Sequence, residues 1–257
     1  MSTSRRDFLK TAGLCAAGTA LLSPALGLAD ALAAEGSFLV SPSEKTAKRW
    51  AMVIFTQKLA SQATQAAVIN ACHAYHNVPA ISGKQEVKWL WADSYNATFP
   101  EQTSNFPAKT LVERRFLLLC NHCENPPCVR VCPTQATFKR PDGIVVMDYH
   151  RCIGCRFCMA GCPYGARSFN FRDPHPYIAQ PNPEFPLRMR GVVEKCTFCS
   201  ELLAKGKMPR CVEASNGAIL FGDLLDDTSD VRKALAENVA IRRKPSLGTQ
   251  PGVYYIL

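Results

Sequence analysis

Apolar runs along this chain are short, and two of them lead directly into cysteine-rich turns. Residues 115–119 (Arg-Phe-Leu-Leu-Leu) and 143–147 (Gly-Ile-Val-Val-Met) have the length and apolar content of buried strands. Residues 50–55 (Trp-Ala-Met-Val-Ile-Phe) form a third run of this kind. The prolines between residues 173 and 186 predict an extended surface connection. Helical spacing of apolar positions predicts helices over residues 59–75, 199–205 and 229–238.

The cysteines that follow two of these strands form two similar runs. Twelve of the thirteen cysteines in the chain lie between residues 72 and 211. The run from Cys152 has the spacing C-x2-C-x2-C-x3-C-P of bacterial ferredoxins, and the run from Cys120 has C-x2-C-x4-C-x3-C-P. In the ferredoxin run, three thiolates hold one [4Fe-4S] cluster and the cysteine before the proline reaches a neighbouring cluster. The two runs therefore predict a pair of clusters. Their cysteines are Cys120, Cys123, Cys128, Cys132, Cys152, Cys155, Cys158 and Cys162.

The spacing also separates iron–sulfur chemistry from zinc. Three sulfurs within seven residues converge on one cluster only if the backbone makes a tight turn, for which Gly154 is suited. Zinc sites instead prefer two C-x2-C pairs that are separated by a dozen or more residues. A structural zinc protein is therefore the remote alternative.

Two further classes of protein fit the chain poorly. A disulfide-stapled secreted domain is richer in cysteine than the value of about 5% found here. A catalytic reductase needs a substrate or cofactor site, but the sequence has no G-x-G-x-x-G motif, P-loop or nucleophile motif. We therefore predict that this chain has no substrate site of its own and is not an enzyme by itself.

The amino-terminal residues predict export. Residues 4–10 (Ser-Arg-Arg-Asp-Phe-Leu-Lys) precede a weakly apolar stretch, which is the pattern of a twin-arginine signal over residues 1–34 with cleavage near Ala33 or Ala34. Cleavage removes Cys15 and leaves twelve cysteines in a periplasmic protein. Because this route carries folded proteins, clusters can be built before the chain meets an oxidising compartment. No apolar run of about 18 residues follows the signal, so we expect membrane association only through a partner.

The charge of the chain does not point to nucleic acid. The formal net charge is +9, of which residues 1–34 carry about +1. No basic-aromatic motif of a nucleic-acid-binding protein accompanies this charge, and an exported protein rarely meets nucleic acid. Clusters with four thiolates carry net negative charge, which nearby cations can offset. The cations that flank the cysteines are Arg130, Arg151, Arg156, Arg167 and Lys195.

Residues 47–257 resemble the four-cluster ferredoxin-like electron-transfer subunits of polysulfide, tetrathionate and dimethyl sulfoxide reductases. The two runs match the second and third motifs of that family, and Cys196-x2-Cys199-x11-Cys211 matches most of the fourth. The resemblance implies an α+β fold of tandem bacterial-ferredoxin-like modules, with [4Fe-4S]-binding loops, short strands and short helices. The expected domains are residues 1–34 (signal peptide), 35–113 (amino-terminal ferredoxin-like segment), 114–172 (central two-cluster domain) and 173–257 (carboxy-terminal segment, which carries the fourth motif and packs on the amino-terminal segment).

The chain departs from the family pattern at one cluster. The fourth motif of the family ends in a cysteine, but Ser215 stands at that position. The first motif should end at Cys72, yet Gln62, Gln65 and Val68 stand at its other three cysteine positions. In the family, ligands cross between the first and fourth motifs and between the second and third. The four missing cysteines would therefore all have belonged to one cluster.

The resemblance implies three [4Fe-4S] clusters in this chain. Their ligands would be Cys120, Cys123 and Cys128 with Cys162; Cys152, Cys155 and Cys158 with Cys132; and Cys196, Cys199 and Cys211 with Cys72. A buried free thiol is the alternative for Cys72. His73 and His76 flank Cys72 and could contact a quinone or a haem, although lone histidines are more often surface or hydrogen-bonding residues.

The signal, the lack of an anchor and the missing first cluster narrow the resemblance to the periplasmic iron–sulfur subunits of DsrMKJOP-type membrane complexes of sulfur metabolism. Such a subunit would relay electrons between an NrfD-type quinone-reactive membrane protein and a periplasmic multihaem cytochrome c. The alternative is the electron-transfer subunit of a periplasmic molybdopterin oxidoreductase of the polysulfide or tetrathionate reductase type, with a molybdopterin subunit as its partner.

Overall fold

The computed structural model of the protein describes residues 44–102 and 105–257. The twin-arginine segment predicted over residues 1–34 lies outside the described residues, together with Cys15 and the cleavage position. Residues 35–43 of the segment that follows it are also outside.

The strands of the described residues are short. They are β1 (Trp50–Phe55), β2 (Leu90–Asp93), β3 (Phe116–Leu119), β4 (Thr137–Lys139), β5 (Val145–Met147), β6 (Ser168–Phe169), β7 (Val193–Glu194), β8 (Ile219–Asp223), β9 (Ala240–Ile241) and β10 (Val253–Ile256).

Most α-helices in this part of the chain are single turns, and four of them contain or adjoin a cysteine. The helices are α1 (Gln62–Tyr75), α2 (Tyr95–Thr98), α3 (Lys109–Val112), α4 (Pro127–Arg130), α5 (Phe157–Ala160), α6 (Ser200–Leu203), α7 (Arg210–Glu213) and α8 (Asp230–Glu237). Single 3-10 turns lie at Gly83–Gln85, Pro100–Gln102, His175–Tyr177 and Pro245–Leu247. This mixture of short elements confirms the α+β class.

The largest sheet joins the two ends of the described chain. Its strand order is β8-β1-β10-β9, with β1 parallel to β10 and antiparallel to β8. Met52 of β1 lies opposite Val253 and Phe221, and all three side chains belong to the main hydrophobic core. Val53 belongs to a second apolar cluster with Val231 of α8. Because both faces of β1 are covered, its sequence is apolar throughout and does not alternate.

Three two-stranded sheets are placed next to the cysteine motifs. The antiparallel pair β2–β3 ends directly before Cys120. The pair β4–β5 lies between Cys132 and Cys152, and β7 of the pair β6–β7 ends two residues before Cys196. The paired strands therefore fix where the cysteine loops begin.

The predicted strands are confirmed, and one predicted helix starts later than its apolar pattern suggests. Residues 50–55, 115–119 and 143–147 contain β1, β3 and β5. The helix predicted over residues 59–75 begins at Gln62, because Leu59 is buried in the preceding turn and Ser61 has the extended backbone of an N-cap residue.

The other two predicted helices also differ at their ends. Cys199 does not start a helix because its backbone is left-handed, with φ of 51°, and α6 ends at Leu203. The helix predicted over residues 229–238 is confirmed as α8. Ser229 caps it, since its Oγ accepts a hydrogen bond from the backbone N–H of Arg232 at 3.3 Å.

The proline-rich connection between residues 173 and 186 is only partly extended. It contains the 3-10 turn His175–Tyr177. Phe185 is buried against the rings of His76 and Trp89, so the prediction of a wholly superficial segment is wrong at this residue.

Candidate iron–sulfur centres

Four cysteines from two separate loops line one cavity. We call Cys120, Cys123, Cys128 and Cys162 the central set. Val145, Tyr164 and Arg167 line the same cavity. The structure therefore gathers the first three cysteines of one run with the last cysteine of the other.

Burial and a neighbouring thiolate oppose the ionisation of two thiols of the central set, those of Cys123 and Cys162. Burial, and next the charge of Cys120, raise the pKa of Cys123 to about 12. The same two causes raise the pKa of Cys162. Thiolates that repel one another in a largely apolar cavity are stabilised when they bind a metal or a metal cluster. The cavity and its four sulfur donors therefore fit a [4Fe-4S] cluster.

A second group of four cysteines lies nearer to solvent. We call Cys132, Cys152, Cys155 and Cys158 the exposed set. Cys155 is exposed at its turn, whereas Cys158 is buried in α5. Burial raises the pKa of Cys158, and the charges of Cys128 and Cys152 add to this effect. Burial acts in the same sense on Cys132, but hydrogen bonds from the backbone of Thr137 and from Thr134 hold its pKa below the usual value.

The third group is assembled from elements that lie far apart in the sequence. We call Cys72, Cys196, Cys199 and Cys211 the buried set. Cys72 lies in the last turn of α1, and Cys211 lies in α7, which packs against α1. Burial, followed by the charges of Cys196 and Cys211, raises the pKa of Cys72 well above its usual value. Burial raises the pKa of Cys211 to about 12. Four buried thiols whose charges act on one another again fit a cluster or metal site.

The first C-x2-C turn of each of the three cysteine motifs holds a left-handed residue directly before its second cysteine. These residues are His122 (φ 40°), Gly154 (φ 71°) and Phe198 (φ 53°). A Cβ atom at Gly154 would lie 2.5 Å from the carbonyl oxygen of Gly191, so this turn requires glycine. The rings of His122 and Phe198 stack with centroids 3.7 Å apart, and this contact offsets part of the cost of a positive φ.

The central and buried sets are neighbours. After burial, the charge of Cys120 is the largest cause that raises the pKa of Cys196. The stack of His122 on Phe198 joins the turns that carry these two sets. The sequence analysis did not single out His122, Phe198 or Asn121 as parts of the site. Their position inside C-x2-C turns was the available signal.

Side chains pack at the positions where the family has a further cluster. The amide of Gln65 is buried and donates hydrogen bonds to two backbone carbonyls, at 2.6 and 2.8 Å. Val68 lies in the main core. Ser215 Oγ donates to the carbonyl oxygen of Val212 at 2.8 Å. The chain thus forms the continuous helix α1 at the positions where the resemblance would place the cysteines of a first motif.

Two of the five cations near the cysteines are buried. Arg167 Nη2 donates a hydrogen bond to Cys128 Sγ at 3.1 Å, and Lys195 Nζ donates to the carbonyl oxygen of Cys196 at 2.7 Å. The other three are exposed. They are Arg130, Arg151 and Arg156. Charge compensation inside the protein therefore falls mainly to Arg167 and Lys195.

His76 is a buried hydrogen-bonding residue, so the alternative of a surface position is wrong for it. Its Nδ1 lies 2.7 Å from the carbonyl oxygen of Cys72, and its Nε2 lies 3.0 Å from Glu201 Oε1. His73 is partly buried, and its Nε2 accepts a hydrogen bond from the backbone N–H of Leu90 at 3.4 Å. Burial lowers the pKa of His73 to about 4.

Two family models match this chain. Residues 115–175 match a 4Fe-4S dicluster domain, which spans the central set and the exposed set. Residues 2–21 match the signal sequence of the twin-arginine translocation pathway, so the chain is exported across the cytoplasmic membrane to the periplasm. Within residues 44–102 and 105–257, no helix combines the length and the apolar character that a bilayer span requires.

Several curated proteins are similar over most of their length. The chain is 40% identical to the Hdr-like menaquinol oxidoreductase iron–sulfur subunit 1 of Archaeoglobus fulgidus, over 98% of this chain and 97% of the relative. It is 34% identical to a subunit of the tetrathionate reductase of Salmonella typhimurium, over 100% and 89%. It is 36% identical to the iron–sulfur cluster-binding subunit of menaquinone reductase of Nitratidesulfovibrio vulgaris, over 81% and 88%. With its cysteine motifs, its dicluster domain and these whole-length similarities, the chain belongs to the family of iron–sulfur electron-transfer subunits, the non-catalytic partners in oxidoreductase complexes.

Proposed function

We propose that the chain carries three [4Fe-4S] clusters, one on each of the central, exposed and buried sets. The grouping of cysteines from separate motifs is the observation that carries this proposal. The four cysteines of the central set line one cavity, and the charges of Cys196 and Cys211 act on Cys72. In each site the thiolates would be the ligands, and a bound cluster supplies one-electron transfer. On this proposal residues 114–172 form the central two-cluster domain. Residues 35–113 and 173–257 together hold the buried set.

The positions of the three sets support a linear electron path. Cys120 of the central set lies close to Cys196 of the buried set. On the other side, the thiolates of Cys128 and Cys158 both act on the same guanidinium, that of Arg167. The central cluster would therefore lie between the other two, and electrons would pass through it.

The exposed set favours a partner that covers apolar surface. Cys155 is exposed, and the neighbouring side chains of Ile153 (68%) and Phe157 (61%) are also open to solvent. Exposed apolar groups beside a redox centre are typical of a protein–protein contact. An NrfD-type quinone-reactive membrane subunit is the partner that we propose for this face.

The relatives support a respiratory complex that exchanges electrons with quinone. The similarity to a menaquinol oxidoreductase subunit extends over nearly the whole chain. On this basis we propose a DsrMKJOP-type complex of sulfur metabolism, in which a periplasmic multihaem cytochrome c is the second redox partner. The similarity to a tetrathionate reductase subunit favours the alternative, in which a molybdopterin subunit takes that place.

The cluster count is tested by iron, acid-labile sulfide and zinc analysis of the anaerobically purified mature protein. Three clusters require about twelve iron and twelve sulfide per chain. About sixteen iron would mean that other ligands hold a fourth cluster. About eight iron with one zinc would contradict the assignment of the buried set, where His76, Cys199 and Glu201 present ligand atoms within 4.8 Å of one another.

The partner proposal is tested by affinity purification of the exported protein from its own membranes. We expect an NrfD-type subunit together with a multihaem cytochrome c, which haem staining detects. A molybdopterin subunit in place of the cytochrome would support the alternative complex.

A further inference from the structure

The cavity of the central set contains a buried cation that no carboxylate of the described residues neutralises. Arg167 is 5% exposed, and its Nη2 donates to Cys128 Sγ at 3.1 Å and to Thr137 Oγ1 at 2.7 Å. Its Nη1 donates to Met147 Sδ at 3.1 Å. No carboxylate in the described part of the chain forms an ion pair with Arg167. A buried guanidinium without a carboxylate needs another negative group, and the thiolates are the negative groups at hand.

Arg167 acts on thiolates of two sets. Burial alone would lower its pKa, but the charges of Cys128 and then Cys158 outweigh burial and raise the pKa above the usual value. Cys128 belongs to the central set and Cys158 to the exposed set. Arg167 Nη2 donates to Cys128 Sγ at 3.1 Å, and a hydrogen bond from Arg167 also acts to lower the pKa of Cys158. Because the charge of Cys128 acts on Arg167 more strongly than that of Cys158, the effect of Arg167 should be larger on the central cluster.

The same cavity is lined by a buried residue, Asn121, whose side-chain amide has no hydrogen-bond partner within residues 44–102 and 105–257. Asn121 is 1% exposed and lines the cavity between Cys120 and Cys123. Neither Nδ2 nor Oδ1 of Asn121 has a hydrogen-bond partner among the described residues. A buried polar group is rarely left unpaired in a native protein. The Nδ2 group is therefore available as a donor to a sulfur atom of a bound cluster.

The buried set has a different polar environment. Its acidic neighbour is Glu201, whose charge raises the pKa of Cys72 and of Cys199 in addition to burial and the neighbouring thiolates. Lys195, the buried cation next to Cys196, donates to backbone carbonyl oxygens and not to sulfur. Two polar groups contact sulfurs of this set: the backbone N–H of Phe198 donates to Cys196 Sγ at 3.4 Å, and His76 Nδ1 lies 3.7 Å from Cys72 Sγ. In the described residues, no guanidinium or side-chain amide donates a hydrogen bond to a sulfur of this set.

Positive charge and hydrogen bonds to sulfur stabilise the reduced form of a cluster, which carries one more negative charge than the oxidised form. We propose that Arg167 and Asn121 raise the reduction potential of the central cluster above that of the buried cluster, so that an electron shared between the two resides mainly on the central one. This inference rests on the proposed cluster sites. The exchange is balanced, because the one electron that reduces the central cluster is lost by its neighbour.

The test is a redox titration, followed by electron paramagnetic resonance, of the purified cluster-loaded protein and of Arg167→Met. We expect the equilibrium constant for reduction of the central cluster to fall about tenfold, as for the loss of one charge-assisted hydrogen bond. For a one-electron couple this is about 59 mV. The exposed cluster should shift less, and the buried cluster should not shift. The Cys196→Ser variant identifies the signal of the buried cluster by its loss.

Two further variants distinguish a change in reduction potential from a loss of the cluster. Arg130→Met removes an exposed cation two residues from Cys128 and should leave all potentials unchanged. Asn121→Leu keeps the volume but removes the donor, and we expect a shift of about threefold in the same direction as that of Arg167→Met. If Arg167→Met loses iron, the same redox titration is made on Arg167→Lys and Asn121→Leu, in which the clusters are expected to stay intact.

Unchanged potentials in iron-replete Arg167 and Asn121 variants would overturn the inference. So would a wild-type protein in which the central cluster is reduced at a lower potential than the buried one. An iron content below twelve in the wild type would instead count against the proposed cluster number. The effect of Arg167 on the central cluster would remain measurable in that case.

Discussion

The exposed set and the buried set contain the same number of cysteines but are built in opposite ways. Three cysteines of the exposed set lie within seven residues on one turn, and the glycine of that turn is enforced by a close backbone contact. The buried set takes Cys72 from α1 and its other members from a segment far along the chain. A local turn places sulfurs by its own geometry, whereas the buried set exists only after α1 packs against α7.

The two regions also differ in what surrounds the sulfurs. Cys155 of the exposed set is open to solvent beside apolar Ile153 and Phe157. All four cysteines of the buried set are buried, and helix α1, which carries Cys72, packs against α7, which carries Cys211. One end of the proposed electron path is therefore suited to contact with a partner, and the other is sealed by side chains.

The largest expected effect comes from ligand loss in the buried set. We expect Cys72→Ser and Cys196→Ser each to remove about four iron per chain, because a [4Fe-4S] cluster needs all its ligands. The double variant should lose no more iron than either single variant. Metal analysis and electron paramagnetic resonance check this.

A double variant that loses about eight iron would show that Cys72 and Cys196 serve different clusters. Cys72→Ser with full iron content would show that Cys72 is a buried free thiol. Cys155→Ser is the control from the exposed set, and it should remove a different resonance signal.

A smaller effect is expected at the turn of the exposed set. Gly154→Ala places a Cβ 2.5 Å from a backbone oxygen at a φ of 71°. We expect a loss of about 3 kcal/mol in the free energy of unfolding, from the left-handed backbone and the steric overlap together. Anaerobic denaturant titration, with iron analysis of the folded fraction, measures it.

Gly165→Ala is the matched control for this variant. Gly165 also has a positive φ, of 63°, but a Cβ there meets no atom within 4 Å. Gly165→Ala should lower the free energy of unfolding by only about 1 kcal/mol, because the left-handed backbone is its only unfavourable contribution. Equal losses at the two positions would contradict the requirement for space at Gly154.

The smallest expected effect lies in α1, where a helix stands in place of a cysteine loop. Gln65→Ala removes the donor from the buried carbonyl oxygen of Leu59 and the partly buried one of Arg115, and should reduce the free energy of unfolding by about 2 kcal/mol. Cluster content should not change. The exposed Gln62 on the same helix is the control, and Gln62→Ala should stay within about 0.5 kcal/mol of the wild type. A loss of iron on Gln65→Ala would mean that this residue supports a cluster after all.

The cysteine chemistry, the export signal and three of the ten strands of the described residues could be predicted from the sequence alone. The spacing around Cys152 fixes three sulfurs within one short turn, which is a local property of the backbone. The apolar run of β1 also predicted its strand, because a strand covered on both faces needs apolar residues throughout. The predicted boundaries of α1 and α6 were less accurate, since Ser61 and Cys199 take non-helical conformations that apolar spacing does not report.

The identity of the distant residues that surround the sulfurs depends on the packing of the folded chain. The hydrogen bond of Arg167 to Cys128, the unpartnered amide of Asn121 and the buried position of His76 depend on contacts between segments that are separated in the sequence. The same holds for Gln65, which looks like an ordinary polar helix residue until its two carbonyl partners are known. The spacing of cysteines in the sequence specifies local geometry. The burial and the charge of a site depend on all the residues around it, and only packing of the folded chain brings those residues together.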